Sequence, residues 1–438
     1  DYTIQRERYG VTADIDYRAS QRSQYKLRGL WTNYIDTEQR RAKTNVIGDG
    51  ELERAIRDRQ QESFIFSIGF SGENMVSESG VLDYRVMWNQ SSEETPNQLV
   101  STFIQEDVEF DPNVSPDSID PTNIQANPLN EEPADYLIDE IETEYKKATD
   151  EDLVGALNYT QGFFKNSGFS GLWKVGAKAR MKTKEQNYDV YNYESDDDLN
   201  FLDYTNDWQS ETPFFLGRYP GQMVPFQDPQ AMRDLLASGT LEGERNLEED
   251  LADFEINEDT YAAYAMTEML FGSKTSFLGG VRVESTKNDF MAYELVLDEE
   301  GDPLDLMPVT GDKSYTEWLP QFHLVYKTGN DSQFRAAVTR SLARPNYEDM
   351  APWRLINLED MEIELGNPDL DVTTAWNIDV MWEKYLQPVG IFSAGLFYKD
   401  LTDIIYFFNV DEIVDGEEFE VIQPRNGDKG SLWGIELA

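Results

Sequence analysis

The sequence predicts an all-β protein, a transmembrane antiparallel β-barrel with long extracellular loops. Three observations lead there. Apolar and polar residues alternate with period two along most of the chain, which in a strand sends them to opposite faces. The connections between these stretches alternate short and long, as in outer-membrane barrels with short periplasmic turns and long outer loops. Charge also sits well inside the polar faces, at Arg85, Lys178, Arg282 and Asp379. A sandwich core would not tolerate such charge, whereas a water-filled or plugged lumen would.

About 13 strands are expected, with cores at 9–19, 23–36, 62–72, 80–91, 152–162, 168–186, 258–271, 275–290, 315–327, 333–342, 373–386, 389–406 and 431–438. In the first, Val11, Ala13, Ile15 and Tyr17 oppose Thr12, Asp14, Asp16 and Arg18. Phe64, Phe66, Ile68 and Phe70 repeat the pattern, as do Leu82, Tyr84, Val86 and Trp88. Further along, Trp173, Val175 and Ala177 oppose Lys174 and Lys178, and Trp318, Phe322 and Leu324 oppose Gln321 and His323. Trp376, Ile378, Val380 and Trp382 share another face. Six residues at ~3.3 Å each and a tilt of ~40° set the two tryptophans ~15 Å apart in height, fitting an aromatic girdle.

Short connections fall near 20–22, 72–79, 163–167, 272–274, 328–332 and 387–388. Long ones fall near 37–61, 92–151, 187–257, 291–314, 343–372 and 407–430, and they carry much of the acid. Within 187–257 a short helix is expected at 228–237, with Asp228 as cap and Pro229 in the first turn.

Composition excludes several functions. Lys and Arg number 37 against 84 Asp and Glu, a net charge of −47, so the basic footprint of a nucleic-acid binder is missing. There is no cysteine, hence no disulfide, thiolate metal site or cysteine nucleophile. A single histidine, His323, argues against a multi-histidine metal site or a Ser-His-Asp hydrolase. Its place on a polar strand face suits a lumen-facing, hydrogen-bonding role. With 13% aromatic residues the chain is ordered rather than an acidic disordered polymer. No apolar run reaches the roughly 18 residues of a membrane helix. Paired carboxylates arise everywhere in so acidic a chain, so they do not support a glycosidase. No phosphate loop or HExxH motif is present.

An odd strand count is unexpected for a bacterial single-chain barrel. The chain starts at Asp1 and ends inside an alternating segment at Ala438, so further strands are expected on both sides.

The region 259–406 resembles the barrel of TonB-dependent outer-membrane receptors. The series begins with Thr260-Tyr-Ala-Ala-Tyr264, Gly280-Val-Arg-Val-Glu284 and Trp318-Leu-Pro320. It continues with Arg335 through Arg344-Pro-Asn-Tyr347, Gly366-Asn-Pro-Asp-Leu370, Gly395-Leu-Phe-Tyr-Lys399 and Asp403-Ile-Ile405. Arg6 to Gly10 and Arg28 to Trp31 look like the family's early strands. The resemblance implies a barrel of 22 strands, of which residues 1–438 form a partial one without the plug domain or the C-terminal strands. Departures are the missing plug, TonB-contacting segment and terminal aromatic, and Asp371-Val-Thr-Thr374 where the family often continues Lys-Pro-Glu. Pro345 and Asn367-Pro368 read as loop-shaping residues, since proline ends a ladder and Asn-Pro favours a turn.

The resemblance implies a non-enzymatic receptor in the bacterial outer membrane, embedded in its lipid. It would bind a scarce small-molecule or oligosaccharide nutrient, such as a siderophore or a cobalamin-like compound. Import would use energy from the TonB complex, contacted through the plug region. The alternatives are a passive porin-type barrel and a secreted soluble glycan-binding β-protein. Candidate ligand contacts are the loop aromatics Trp208, Phe214, Phe215 and Tyr219, with Phe226 beside them; packing of a long loop on itself explains them equally. Asp196, Asp197 and Asp198, with Glu194, Asp203 and Asp207 nearby, offer hard oxygen ligands for a loop-bound calcium, although a solvated acidic loop has the same composition. No other cofactor is expected.

Overall fold

A computed structural model describes residues 1–113, 128–166, 168–195, 198–208, 225–298, 303–329, 331–358, 361–386, 388, 390–414 and 417–438. Thirteen long strands form its wall. They are β1 (Tyr2–Ser20), β2 (Ser23–Val46), β3 (Glu51–Met75), β4 (Gly80–Gln105), β5 (Leu137–Asn166) and β6 (Phe169–Glu194), then β10 (Phe254–Phe271), β11 (Thr275–Leu297), β12 (Pro303–Lys327), β13 (Ser332–Ala343), β16 (Thr373–Leu386), β17 (Gly390–Thr402) and β20 (Lys429–Leu437). Each pairs antiparallel with the wall strand before and after it. The wall is thus an up-and-down meander, with β1 and β20 at its two edges among the described residues.

Shorter elements occupy three of the long connections. Between β6 and β10 lie β7 (Thr205–Asn206), β8 (Phe226–Gln227), the helix α1 (Pro229–Ser238) and β9 (Glu242–Arg245). Between β13 and β16 lie β14 (Arg354–Asn357) and β15 (Glu362–Leu365). Between β17 and β20 lies the hairpin of β18 (Ile405–Val414) and β19 (Glu417–Asn426). The helix forms where the sequence places it: the Asp228 carboxylate accepts from Gln230 N at 3.1 Å, Pro229 opens the first turn, and Gly239 ends it at φ 68°.

Register aligns the apolar residues into one continuous face. One row runs Ile15, Leu27, Phe70, Val86, Gly155, Ala179 and Tyr261 across seven strands. Another runs Gly279, Phe322, Val338, Ile378, Tyr398 and Trp433. Val11 and Ile15 are each 60% exposed in mid-strand, so no protein layer covers this face. Aromatic rings gather on it near the short turns. Tyr17, Tyr25, Phe70 and Tyr84 follow one another at 6.3–6.5 Å, and Phe163, Phe169 and Phe271 at 5.2–5.7 Å. The opposite face carries ion pairs between strands, including Arg28 with Asp14 at 3.5 Å on adjacent strands and Lys174 with Asp83 at 3.7 Å across β5.

Two expectations need correction. The long connections are shorter than predicted, because strand pairing continues past the apolar stretches. β2 and β3 stay paired to Val46 and Glu51, so 37–61 is mostly ladder closed by a turn at 47–50. Outside the apolar band both strand faces meet water or loop protein, so the alternation fades while the backbone bonds persist. The expected strand at 389–406 also divides. Asp403 takes φ 59°, which turns the chain out of β17 and into β18. His323 lies half-buried on the polar face as expected, opposite Leu278 and Ala337, but it makes no side-chain hydrogen bond among the described residues.

Candidate functional site

Of the three hydrophobic clusters in the long connections among the described residues, one joins β15 to β19 around Ile363, Phe419 and Val421, and the other two pack on the wall, one on each face. The first of these two forms on the polar face under residues 344–372. Pro345 ends β13, and Tyr347 to Met350 make one helical turn. Met350, Ala351 and Leu370 then pack on Phe254, Ile256, Phe290 and Ala292 of β10 and β11. Gly366 allows this closure: a Cβ there would stand 1.9 Å from the Ala351 carbonyl oxygen. Asn367 shapes the next turn by accepting from Asp369 N at 3.0 Å, and its amide donates to Pro424 O at 2.9 Å.

This fold-back delivers Arg344 and Tyr347 into a charged network. Arg344 Nε lies 3.4 Å from Glu258 Oε2, and its Nη2 donates to Glu284 Oε1 and, at 3.3 Å, to Thr286 Oγ1. The Tyr347 hydroxyl donates to Glu258 Oε1 at 3.4 Å. Lys182 and Lys184 lie 5.1 and 5.7 Å from the Tyr347 ring centre. Arg180 holds Asp152 in a bidentate pair at 2.6 and 2.9 Å and lies 3.7 Å from Glu258. Glu258 is 1% exposed. A carboxylate so deep survives only with cations around it, and Arg180 and Arg344 supply them from two sides.

The second cluster forms under residues 199–208 and 225–241. Leu52, Arg54 and Ile56 of β3 keep the alternation phase of Phe64 and Phe66, so they continue the apolar face beyond its lipid-like band. Leu52, Leu99, Phe103, Tyr136, Ile141, Phe201 and Met232 build the core there. Arg54 lies against the touching Tyr136 and Phe201 rings, 4.9 and 5.2 Å from their centres. It donates to Glu131 Oε1 at 2.8 Å and to Pro225 O at 2.5 Å. Burial opposes ionisation of Glu131, yet the hydrogen bonds from Lys43 and Arg54 hold its carboxyl below the ordinary value. Burial pushes the Tyr136 hydroxyl far above its ordinary range.

Trp208 packs on Arg41 and, in the same connection, on Phe226. The Arg41 guanidinium lies 4.2 Å from its ring centre, and Phe226 meets it edge-on at 6.0 Å. Phe226 is fully buried. The remaining candidate contacts, Phe214, Phe215 and Tyr219, lie outside the described residues, as do Asp196 and Asp197. Asp198 is exposed, and no three acidic or histidine side chains converge into a metal-sized set among the described residues. Sequence reading missed the Glu258, Arg344 and Tyr347 network. Its available signal was the phase of Glu258 with Tyr264, and of Glu284 with Arg282, on the polar face.

A wall with one uncovered apolar face, one ion-paired face and folded long connections at one end matches the family model described as TonB dependent receptor-like, beta-barrel, over residues 83–438. The chain belongs to the TonB-dependent receptor family. Its wall is a stretch of that family's transmembrane β-barrel, and the family consists of receptors and transporters, not enzymes. Among solved structures, the chain resembles the ferric-catecholate import receptor Fiu of K12 E. coli, with TM-score 0.50 and 10% identity. That match covers 100% of this chain and 61% of the Fiu chain, so the chain spans less than two thirds of that receptor. The hemophore receptor HasR of Serratia marcescens aligns with TM-score 0.43 and 8% identity, over 98% of this chain and 60% of that one. The ferric enterobactin receptor PfeA of Pseudomonas aeruginosa aligns with TM-score 0.42 or 0.43 and 10% identity, over 99% and 60%. Comparison with curated protein sequences gives no match. No helix among the described residues is long and apolar enough to cross a membrane.

Proposed function

We propose that this chain is wall and outer loops of an outer-membrane receptor that binds a scarce nutrient and imports it with TonB-derived energy. The observation that supports the reading is the two-faced wall. Its apolar face is uncovered and ringed by aromatics, as lipid contact requires, and its other face carries ion pairs suited to a polar lumen. The ligand would be a siderophore, a cobalamin-like compound or an oligosaccharide. It would meet the receptor at the long-connection end, with Trp208, Phe214, Phe215 and Tyr219 as proposed contacts. The TonB complex would act through a plug in the full-length protein.

The test is uptake by cells carrying or lacking the full-length gene, each in the presence and absence of functional TonB. Labelled ferric siderophores, cobalamin and oligosaccharides serve as substrates. Uptake of one of them that disappears when either component is removed is the expected result. Uptake that survives loss of TonB would overturn the reading in favour of a passive porin. Recovery of the protein in the soluble fraction would overturn membrane placement itself.

A further inference from the structure

The segment between α1 and β10 is stitched to the far end of β6. β9 pairs with residues 191–194, Asn246 N donates to Val190 O at 2.9 Å, and Gln186 Nε2 donates to Ala252 O at 2.9 Å. The last stitch is a side chain: Tyr188 N donates to Asp253 Oδ1 at 2.5 Å. Three carboxylates meet in this seam, and one guanidinium serves them. Arg245 contacts Asp189 Oδ1 at 2.8 Å and Asp250 Oδ2 at 2.5 Å. Asp250 is fully buried and Asp253 is 9% exposed. No salt bridge to Asp253 forms among the described residues. Closing the seam therefore buries more negative charge than its one cation can offset, which is costly for the ionised forms.

We propose that residues 242–253 form an acid-locked strap: protonation of Asp253 and Asp250 seats the strap on β6, and their ionisation loosens it. Among the acidic groups around the seam, Asp189 of β6 acts on both carboxyls, whereas Glu142 and Glu144 of β5 and Glu249 of the strap itself act on the Tyr188 side chain. Against them stand Arg245 and Lys146, whose ammonium lies 4.9 Å from the Tyr188 ring centre. Burial, then the charges of Asp250 and Asp189, raise Asp253 from 3.8 to about 6, against the Tyr188 N–H and Arg245. Burial, then Asp189, also raises Asp250, against Arg245. A carboxyl raised in the closed state binds more protons there than in the open state. The strap is thus tightest below the ordinary carboxylate range and loosens as pH climbs through about 6. The strap follows α1 and Trp208 in the chain, so its state sets how firmly the connection between β6 and β10 is held.

Hydrogen–deuterium exchange on the full-length protein in detergent tests this. Amides of 242–253 are compared at about pH 5 and about pH 7.5, after correction for intrinsic exchange. Protection should be greater at the lower pH, on the order of tenfold to a hundredfold. The double variant Asp250→Asn, Asp253→Asn should show high protection at both. Protection in the native protein that is flat, or that falls on acidification, overturns the proposal without recourse to any variant. An undiminished pH response in the folded double variant overturns the assignment to these two residues.

Discussion

Replacing Arg344 by glutamine tests whether residues 344–372 are held on the wall by charge. The substitution removes a cation that contacts two carboxylates on different strands, Glu258 and Glu284. Glu258 would keep Arg180 at 3.7 Å and the Tyr347 hydroxyl, and Glu284 would keep Arg282 at 2.9 Å. Uncovering a buried charge completely costs about 3–5 kcal/mol. Here each carboxylate retains one cation, and the Arg344 side chain is 28% exposed, which brings the expected loss to about 2–3 kcal/mol. The assay is denaturant unfolding of the full-length protein in detergent, run as a double-mutant cycle with Glu258→Gln. Neutralising Glu258 first should remove part of the arginine's effect, giving a coupling of about 1–2 kcal/mol. A loss below about 0.5 kcal/mol, or a coupling of zero, would refute the account. The segment would then be held by the packing of Met350, Ala351 and Leu370 and by its remaining attachments, such as β14 on β11 and Lys313 with Asp371.

Other consequences are equally direct. Val380→Arg on the apolar face should cost about 2–4 kcal/mol if that face meets the hydrocarbon midplane; Asn377→Arg, on the opposite face, should change stability by less than about 0.5 kcal/mol. Equal effects in heat-modifiability gels would undo the assignment of faces. Phe103→Ala should cost about 3–5 kcal/mol locally, seen as faster proteolysis within 195–253 while the barrel stays protease-resistant. Gly366→Ala should unseat 344–372, because its methyl would collide with the Ala351 carbonyl; an unaltered proteolysis pattern would contradict this. Asp228→Ala should weaken α1 by about 1 kcal/mol through loss of its cap, read as faster amide exchange in its first turn.

The strands were legible because lipid imposes a strict rule on them. Every second residue facing hydrocarbon must be apolar, and Val11, Ile15, Phe66, Ile68, Ile378 and Val380 obey it without exception. Where the strands leave that band the rule lapses. Leu52, Arg54 and Ile56 continue the same face but meet Phe103, Tyr136 and Phe201 instead of lipid, so a buried arginine is admitted against two aromatic rings. Nothing local in 51–61 distinguishes that environment from solvent, and the ladder there was read as loop. The helix α1 was legible because Asp228 and Pro229 act on their immediate neighbours. The Glu258 network was not, since it joins β6, β10, β11 and a segment about 85 residues further along, and no periodicity encodes that return. Arg344-Pro-Asn-Tyr347 was read as shaping a loop. It does, but the same tetrapeptide also supplies two polar side chains, Arg344 and Tyr347, that reach Glu258 beside Arg180.

The charge of the chain has a matching division. The six long connections read from the sequence hold 61 of the 84 acidic residues and 16 of the 37 basic ones. The remainder of the chain therefore carries 23 acidic and 21 basic residues. Near-neutrality in the wall follows from pairing: Lys26 with Asp16, Arg28 with Asp14 and Arg340 with Glu317 each set one cation against one carboxylate on a neighbouring strand, and Lys174 reaches Asp83 across β5. Uncompensated acid in the connections is tolerable where water and salt screen it within about 8–10 Å. It becomes costly only where folding buries it. Glu131, half-buried, and Glu258, buried, have two cations each, whereas Asp250 and Asp253 share what Arg245 can give. Of the buried acid described at this end of the molecule, the strap is thus the place where a change in proton concentration has most to act on.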